Sequence, residues 1–238
     1  MEKIMTWENL GSFAYTNHEV INGDIRGIVV SFVGLGGAIT WFGSQNLDGI
    51  EWGKKGILDV HPYNNPWNWM NRQAIDWTDE VLDVLFDHFN LPEATPIIST
   101  GGSMGGQCAL VYTRYAKRTP KACFANCPVC DMPFHFTERS DLPRTLYSAF
   151  WNEEGTMDEA LRRYSPLHLV PTMPDVPYYI FHCTKDKEVN IDAHSVKLVD
   201  AMKDTHDVTF IKVEGHAHCQ FPHEVWARWN ELIEKEIG

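Results

Sequence analysis

Apolar residues recur along the chain with two periods. Between residues 71 and 90, Ala74, Trp77, Val81, Val84, Leu85 and Phe89 fall at three- and four-residue spacing, the stripe of an amphipathic helix. Asp76, Asp79, Asp83 and Asp87 lie mostly off that stripe and read as a solvated face, and Leu91-Pro92 ends the helix. Short apolar runs predict strands at residues 29–33, 56–61, 96–100, 121–129, 176–183 and 207–213. The first, strongly apolar and broken only by Ser31, looks like a strand buried on both faces. Helices are expected over residues 107 to about 117, 192–202 and 222–236. The last opens with Pro222 in its first turn and turns Val225, Trp226, Trp229, Leu232 and Ile233 toward the sheet. Residues 11–20 alternate loosely and Asn22-Gly23 offers a tight turn, so a leading hairpin or a pair of edge strands with residues 26–33 is expected.

Strands alternating with helices imply an α/β fold: a mainly parallel twisted sheet covered by helices on both faces, in one domain over residues 1–238. Residues 131–172 break the rhythm. They carry several prolines, scattered aromatics and one helical piece near residues 157–164. A weakly periodic stretch of that length between two strong strands reads as an inserted cap or lid that shapes a pocket and excludes water.

Composition adds exclusions. A hydrophobic content of 44% suffices for a sizeable core. The net charge of −12 disfavours nucleic acid and anionic membrane as partners. No run of apolar residues reaches membrane-spanning length and the N-terminal residues lack a signal-peptide pattern, so a soluble cytoplasmic protein is expected. A homo-oligomer is compatible with the sequence, but nothing in it points to one. The six cysteines are expected as thiols. Cys123, Cys127 and Cys130 lack the two-pair spacing of a zinc site, and Cys123, Ala125 and Cys127 alternate along an expected strand. No metal and no cofactor is expected.

The chemistry centres on Gly101-Gly102-Ser103-Met104-Gly105-Gly106, set between the strand at 96–100 and the helix from 107. Strand, Gly-x-Ser-x-Gly, helix is the context in which a serine is raised on a sharp turn as a nucleophile. Glycines there let the helix approach the strand beneath strained backbone. A serine hydroxyl needs a base, and the base needs a group to hold its tautomer. Ser103, Asp186 and His218 fall in the order Ser…Asp…His, each in a loop following an expected strand. In a parallel sheet such loops gather at one end. His216 rivals His218 as the base, and Asp131, Glu188 and Asp192 rival Asp186 as the acid. His223, inside the last helix, reads as a surface or packing residue. Gly34-Leu35-Gly36-Gly37 follows the strand at 29–33, where a backbone N–H is offered to an oxyanion; Leu35 and Met104 are the expected donors. The alternative is a plain turn leading into the Trp41–Phe42 segment. Trp67 and Trp69, in the loop after residue 61, and Trp151 are candidates for the wall of a substrate pocket, or for packing loops onto the core.

These motifs resemble the α/β-hydrolase superfamily, and more narrowly the small single-domain relatives of the prolyl oligopeptidase catalytic domain, many of which are esterases. The resemblance covers about residues 26–238. It rests on the Gly34–Gly37 loop, the Gly101–Gly106 elbow, Tyr164-Ser165-Pro166-Leu167, His182-Cys183-Thr184-Lys185-Asp186-Lys187-Glu188-Val189 and Gly215-His216-Ala217-His218. The family frame places a glycine three before the histidine and a small residue one before it, which favours His218. Two positions depart: Cys183 replaces the usual glycine, and Val33 stands where many relatives have histidine. The large propeller domain of true prolyl oligopeptidases is absent from these residues. The resemblance implies a serine hydrolase that cleaves small-molecule carboxylic esters (small acyl, aryl or acylated-sugar esters) through an acyl-enzyme; alternatives are a peptidase or amidase with the same triad and a non-catalytic binding protein on this scaffold.

Overall fold

The computed structural model describes residues 4–37 and 47–238; the Trp41–Phe42 segment lies outside them. Strands β1 (Ala14–Thr16), β2 (Gly27–Phe32), β3 (Ile57–Pro62), β4 (Ile97–Gly102), β5 (Ala122–Asn126), β6 (Tyr178–Cys183) and β7 (Val208–Val213) form one sheet in the order β1-β3-β2-β4-β5-β6-β7. Every neighbouring pair is parallel except β1–β3. Helices α1 (Leu47–Lys54), α2 (Arg72–Phe89), α3 (Met104–Tyr115), α4 (Met132–Glu138), α5 (Leu142–Phe150), α6 (Met157–Arg163), α7 (Pro166–Leu169), α8 (Lys197–Met202) and α9 (His223–Ile237) surround it.

Alternation along the strands divides the core. Ile28, Val30, Leu58, Cys123 and Ile180 join an apolar cluster with α2, α3 and α8. Val29, Ile57, Ile98, Phe124 and Phe181 join a second with Trp52 of α1 and Trp229, Ile233 and Ile237 of α9. The sheet is thus covered on both faces. The chain passes from β2 to β3 on one side of β2 and returns to β4 on the other. A reversal of this kind opens a crevice at the carboxyl ends of the strands, where ligands bind in open α/β sheets.

Several details differ from the sequence pattern. No hairpin joins β1 to β2, because β2 is bonded to β3 on one edge and β4 on the other, and β1 is left to pair antiparallel with β3. The strand expected over 121–129 ends at Asn126: Cys127 turns to φ 45° and Pro128 has no N–H to continue the ladder. Helix α1 was hidden by its two glycines. A Cβ on Gly53 would lie 2.6 Å from Val20 Cγ2, so glycine there permits close packing. The acidic positions of α2 are not all solvated. Asp79 accepts from Tyr112 Oη at 2.8 Å and from Lys117 N, and Asp83 pairs with Lys117 at 2.8 Å and with Arg118, tying α2 to the end of α3. In α9, Trp229 and Ile233 are buried as expected, but Trp226 is 39% exposed.

Residues 131–172 fold into the four short helices α4–α7, where the pattern showed one. Three carry proline in the first turn, and Asp131 and Thr156 cap α4 and α6 through side-chain bonds to Phe134 N and Glu159 N. Nine residues or fewer span too few turns for a readable stripe. Leu142, Leu146, Phe150 and Leu161 share the cluster that holds Val30 and Leu58 of the sheet.

Candidate active site

Ser103 stands between the end of β4 and the start of α3, with φ 60° and ψ −124°. Side chains rarely adopt such backbone, so the turn must be held from outside. Ser103 N–H donates to Asn126 O at 2.8 Å, and Ser103 O accepts from Gln107 N at 3.1 Å. The glycines around it are required by contact. A Cβ on Gly105 would lie 2.1 Å from Phe32 O, and one on Gly101 2.3 Å from Gly105 O. Gly34 packs against the serine, its Cβ position 3.7 Å from Ser103 Cβ.

Asp186 lies in the turn after β6 and is fixed on both oxygens. Oδ1 accepts the N–H groups of Glu188 at 2.9 Å and Val189 at 3.0 Å. Oδ2 lies 2.6 Å from His218 Nδ1 and 3.3 Å from His182 Nε2. His182 is itself buried and bonded through Nδ1 to Ser195 Oγ at 2.7 Å. Burial would raise the Asp186 carboxyl, but bonds from His182, His218 and Val189 N–H hold it far below the usual carboxylate range. Burial likewise pushes His218 down; the bond to Asp186 and contact with Cys127 outweigh it and carry the imidazole up to about 9. With Nδ1–H donated to Asp186, the neutral ring keeps a lone pair on Nε2.

A cavity of about 610 Å³ opens where these loops meet, and Ser103, His218, Gly34 and Leu35 line it together. Among the described residues no hydrogen bond joins Ser103 Oγ to His218 Nε2, which lies 3.7 Å from Cys219 Sγ. Catalytic bonds are often long before substrate binds. Leu35 N–H and Met104 N–H take no acceptor among the described residues, which leaves both available to an oxyanion. The rivals have other partners or positions. Asp131 caps α4 and pairs with Lys197 at 3.6 Å, Glu188 pairs with Arg139, Asp192 is exposed, and His216, unlike His218, does not line the cavity.

The tryptophans separate. Trp69 lines the Ser103 cavity, its Nε1 donating to Thr145 Oγ1 at 3.1 Å. Trp67 and Trp151 do not line that cavity; they border a different groove beside α2, and Trp151 is 77% exposed. Trp67 instead stacks under Arg144, 4.9 Å from its ring centroid. The sequence reading missed Trp52, Trp226, His135 and Arg139, which also line the Ser103 cavity. For His135 the readable signal was the Asp131-x-Pro133 start of α4, a capped helix that follows β5 after a short loop. His135 Nδ1 lies 2.6 Å from Glu138 Oε2, which also meets His194 Nε2 at 3.0 Å, while Glu138 Oε1 accepts Asn190 N–H at 3.1 Å. Glu138 therefore ties α4 to the chain just beyond the Asp186 loop.

The profile of the prolyl oligopeptidase family matches residues 70–224, more than half of the chain. The chain belongs to the prolyl oligopeptidase family. Members of this family are serine hydrolases, and the fold is that of an α/β-hydrolase. No curated protein matches the chain. Among solved structures, a Mycobacterium tuberculosis puromycin-hydrolyzing peptidase superposes with a TM-score of 0.73 at 18% identity, over 91% of this chain and 34% of that one. Pyrococcus horikoshii acylaminoacyl peptidase gives 0.71 at 14% identity, over 90% and 38%. Thermogutta terrifontis esterase 2 gives 0.63 at 17% identity, over 93% and 87%. This family member thus spans little more than a third of the peptidase chains it resembles. At such identities the likeness is one of fold.

Proposed function

We propose that the protein is a serine esterase that cleaves small acyl or aryl esters through an acyl-enzyme on Ser103. The observation that carries this is that a serine held at φ 60° and a histidine whose Nδ1 is bonded to a buried aspartate line one cavity. Ser103 Oγ attacks the ester carbonyl as His218 Nε2 takes its proton. Asp186 fixes the ring and offsets the charge of the imidazolium. The N–H groups of Leu35 and Met104 receive the oxyanion. His218 then protonates the departing alcohol, and water attacks the acyl-enzyme by the same route. Trp52, Trp69, Trp226 and Leu142 give the cavity apolar walls suited to an acyl or aryl group. The cap helices α4 and α5 supply His135 and Leu142 to those walls, which supports a lid role for residues 131–172.

A peptidase or amidase with the same triad is the second reading, favoured by the family and by the two peptidase neighbours. Matched substrates decide between them. With nitrophenyl esters of rising acyl length set beside nitroanilides of the same acyl groups, an esterase favours the ester well beyond its intrinsic reactivity. Equal or greater preference for the anilide makes the protein an amidase.

A further inference from the structure

The carbonyl end of the sheet holds a second constellation that the hydrolytic reading does not use. The sulfurs of Cys127 and Cys219 and a ring nitrogen of His218 lie within 4.8 Å of one another. Cys219 Sγ is 3.7 Å from His218 Nε2, and a tetrahedral zinc with ordinary Zn–S and Zn–N bonds needs ligand separations of roughly 3.5–3.8 Å. We propose that Cys127, Cys219 and His218 form a binding site for a thiophilic divalent cation such as Zn²⁺, and that its occupation stops hydrolysis by taking His218 Nε2.

The surroundings suit such a site. His218 Nδ1–H is donated to Asp186, the carboxylate–histidine arrangement that orients an imidazole toward zinc. Cys127 Sγ accepts the N–H groups of Cys183 at 3.4 Å and Cys219 at 3.5 Å, so two amide dipoles already point at the sulfur that would carry thiolate charge. Cys127 and Cys219 both sit in left-handed backbone, at φ 45° and 56°, which aims two sulfurs from distant loops at one point. His218 and Cys219 line the cavity, leaving a fourth position for water. On binding, two S–H bonds break, two metal–sulfur bonds form and the thiol protons pass to solvent.

A second cluster, His135, Glu138 and His194, has similar spacing but the wrong proton. His194 Nδ1 accepts Cys130 N–H at 3.0 Å and Asp131 N–H at 3.1 Å, so its proton is on Nε2 and is donated to Glu138. No lone pair on that ring is left for a cation.

The test uses Cd²⁺, whose thiolate charge-transfer absorption reports binding without reference to activity. The intact protein should develop the band to a limit of one Cd²⁺ per chain, and Zn²⁺ in the micromolar range should inhibit ester hydrolysis, reversibly by a chelator. In Cys219→Ser, and separately in Cys127→Ala, the band should be lost or weakened and the inhibitory Zn²⁺ concentration should rise by about tenfold or more. No band in the wild type, or both variants binding and being inhibited as the wild type is, overturns the site. The inhibition limb rests on His218 being the catalytic base. A band that depends on both cysteines, with hydrolysis unaffected, upholds the metal site and contradicts that role for His218.

Discussion

At the scale of single residues, the site depends on how completely Asp186 is fixed. Its three hydrogen bonds and the contact with His182 leave the carboxylate no freedom to turn away from His218, and removing its charge should cost more than one hydrogen bond. Asp186→Asn keeps the shape but lets the ring take the wrong tautomer; kcat on a nitrophenyl ester should fall about 10⁴-fold, measured with folding checked by circular dichroism. The pH profile follows from the same contact. In the proposed mechanism His218 acts only as the neutral base, and its imidazole is raised to about 9. In the presence of a chelator, kcat/KM should therefore climb through neutrality toward a plateau on the alkaline side. A profile already flat from pH 6.5 upward contradicts the raised value. Ser103, Asp186 and His218 could be singled out in the sequence because the proposed acyl transfer restricts residue type, order and flanking turn, and the structure bonds His218 to Asp186 and sets His218 on the same cavity as Ser103. Trp67 and Trp151 were not, because a tryptophan declares only that it needs apolar surface, and Arg144 and the groove beside α2 supply that for Trp67 and Trp151 away from Ser103.

Among the elements, the elbow shows where the pattern of glycines carries structural information. Gly105 lies against Phe32 O at the crossing of α3 and β2, so Gly105→Ala should destabilise the protein by about 1–3 kcal/mol through forced backbone movement. Gly34→Ala meets only ordinary contacts of 3.6 and 3.7 Å and should leave the urea midpoint nearly unchanged. Equal midpoints for both variants would show that the approach of α3 to β2 is not what glycine serves. Helix α4 carries the second element-scale prediction. Burial alone would raise the Glu138 carboxyl, but its bonds to His135 and His194 hold it well below the usual range. A depressed acid contributes stability above its unfolded value near about 4.3, and loses it as pH falls through the folded one. Glu138→Gln should thus lower stability at pH 7 by about 1–3 kcal/mol, with the gap narrowing below pH 4.3; a gap independent of pH contradicts the pairing. The long helix α2 and the parallel strands were readable because their periods persist over several turns or are bounded by turn residues. Of the helices α4 to α7 only α6 was, since each is shorter than the window a period requires, and the β1–β3 pairing depends on which ladder edges remain open.

At the scale of the whole molecule, the order β3-β2-β4 decides where chemistry can occur, because only there do loops from both sides of the sheet open a crevice. The cap helices share one apolar cluster with the sheet, so heating should give one cooperative transition followed alike by far-ultraviolet dichroism and tryptophan fluorescence. Two separate transitions would make residues 131–172 an independent unit. No helix among the described residues is long and apolar enough to cross a membrane. The central claim is that Ser103, delivered by β4, is the nucleophile activated by His218 and Asp186 from loops about 80 to 115 residues further along the chain. The most direct measurement is mass-spectrometric mapping of a fluorophosphonate adduct on the metal-free protein. The account predicts one adduct per chain on the peptide containing Ser103, absent in Ser103→Ala and greatly slowed in His218→Ala. An adduct on another residue, or none on a folded protein that still hydrolyses esters, would contradict it.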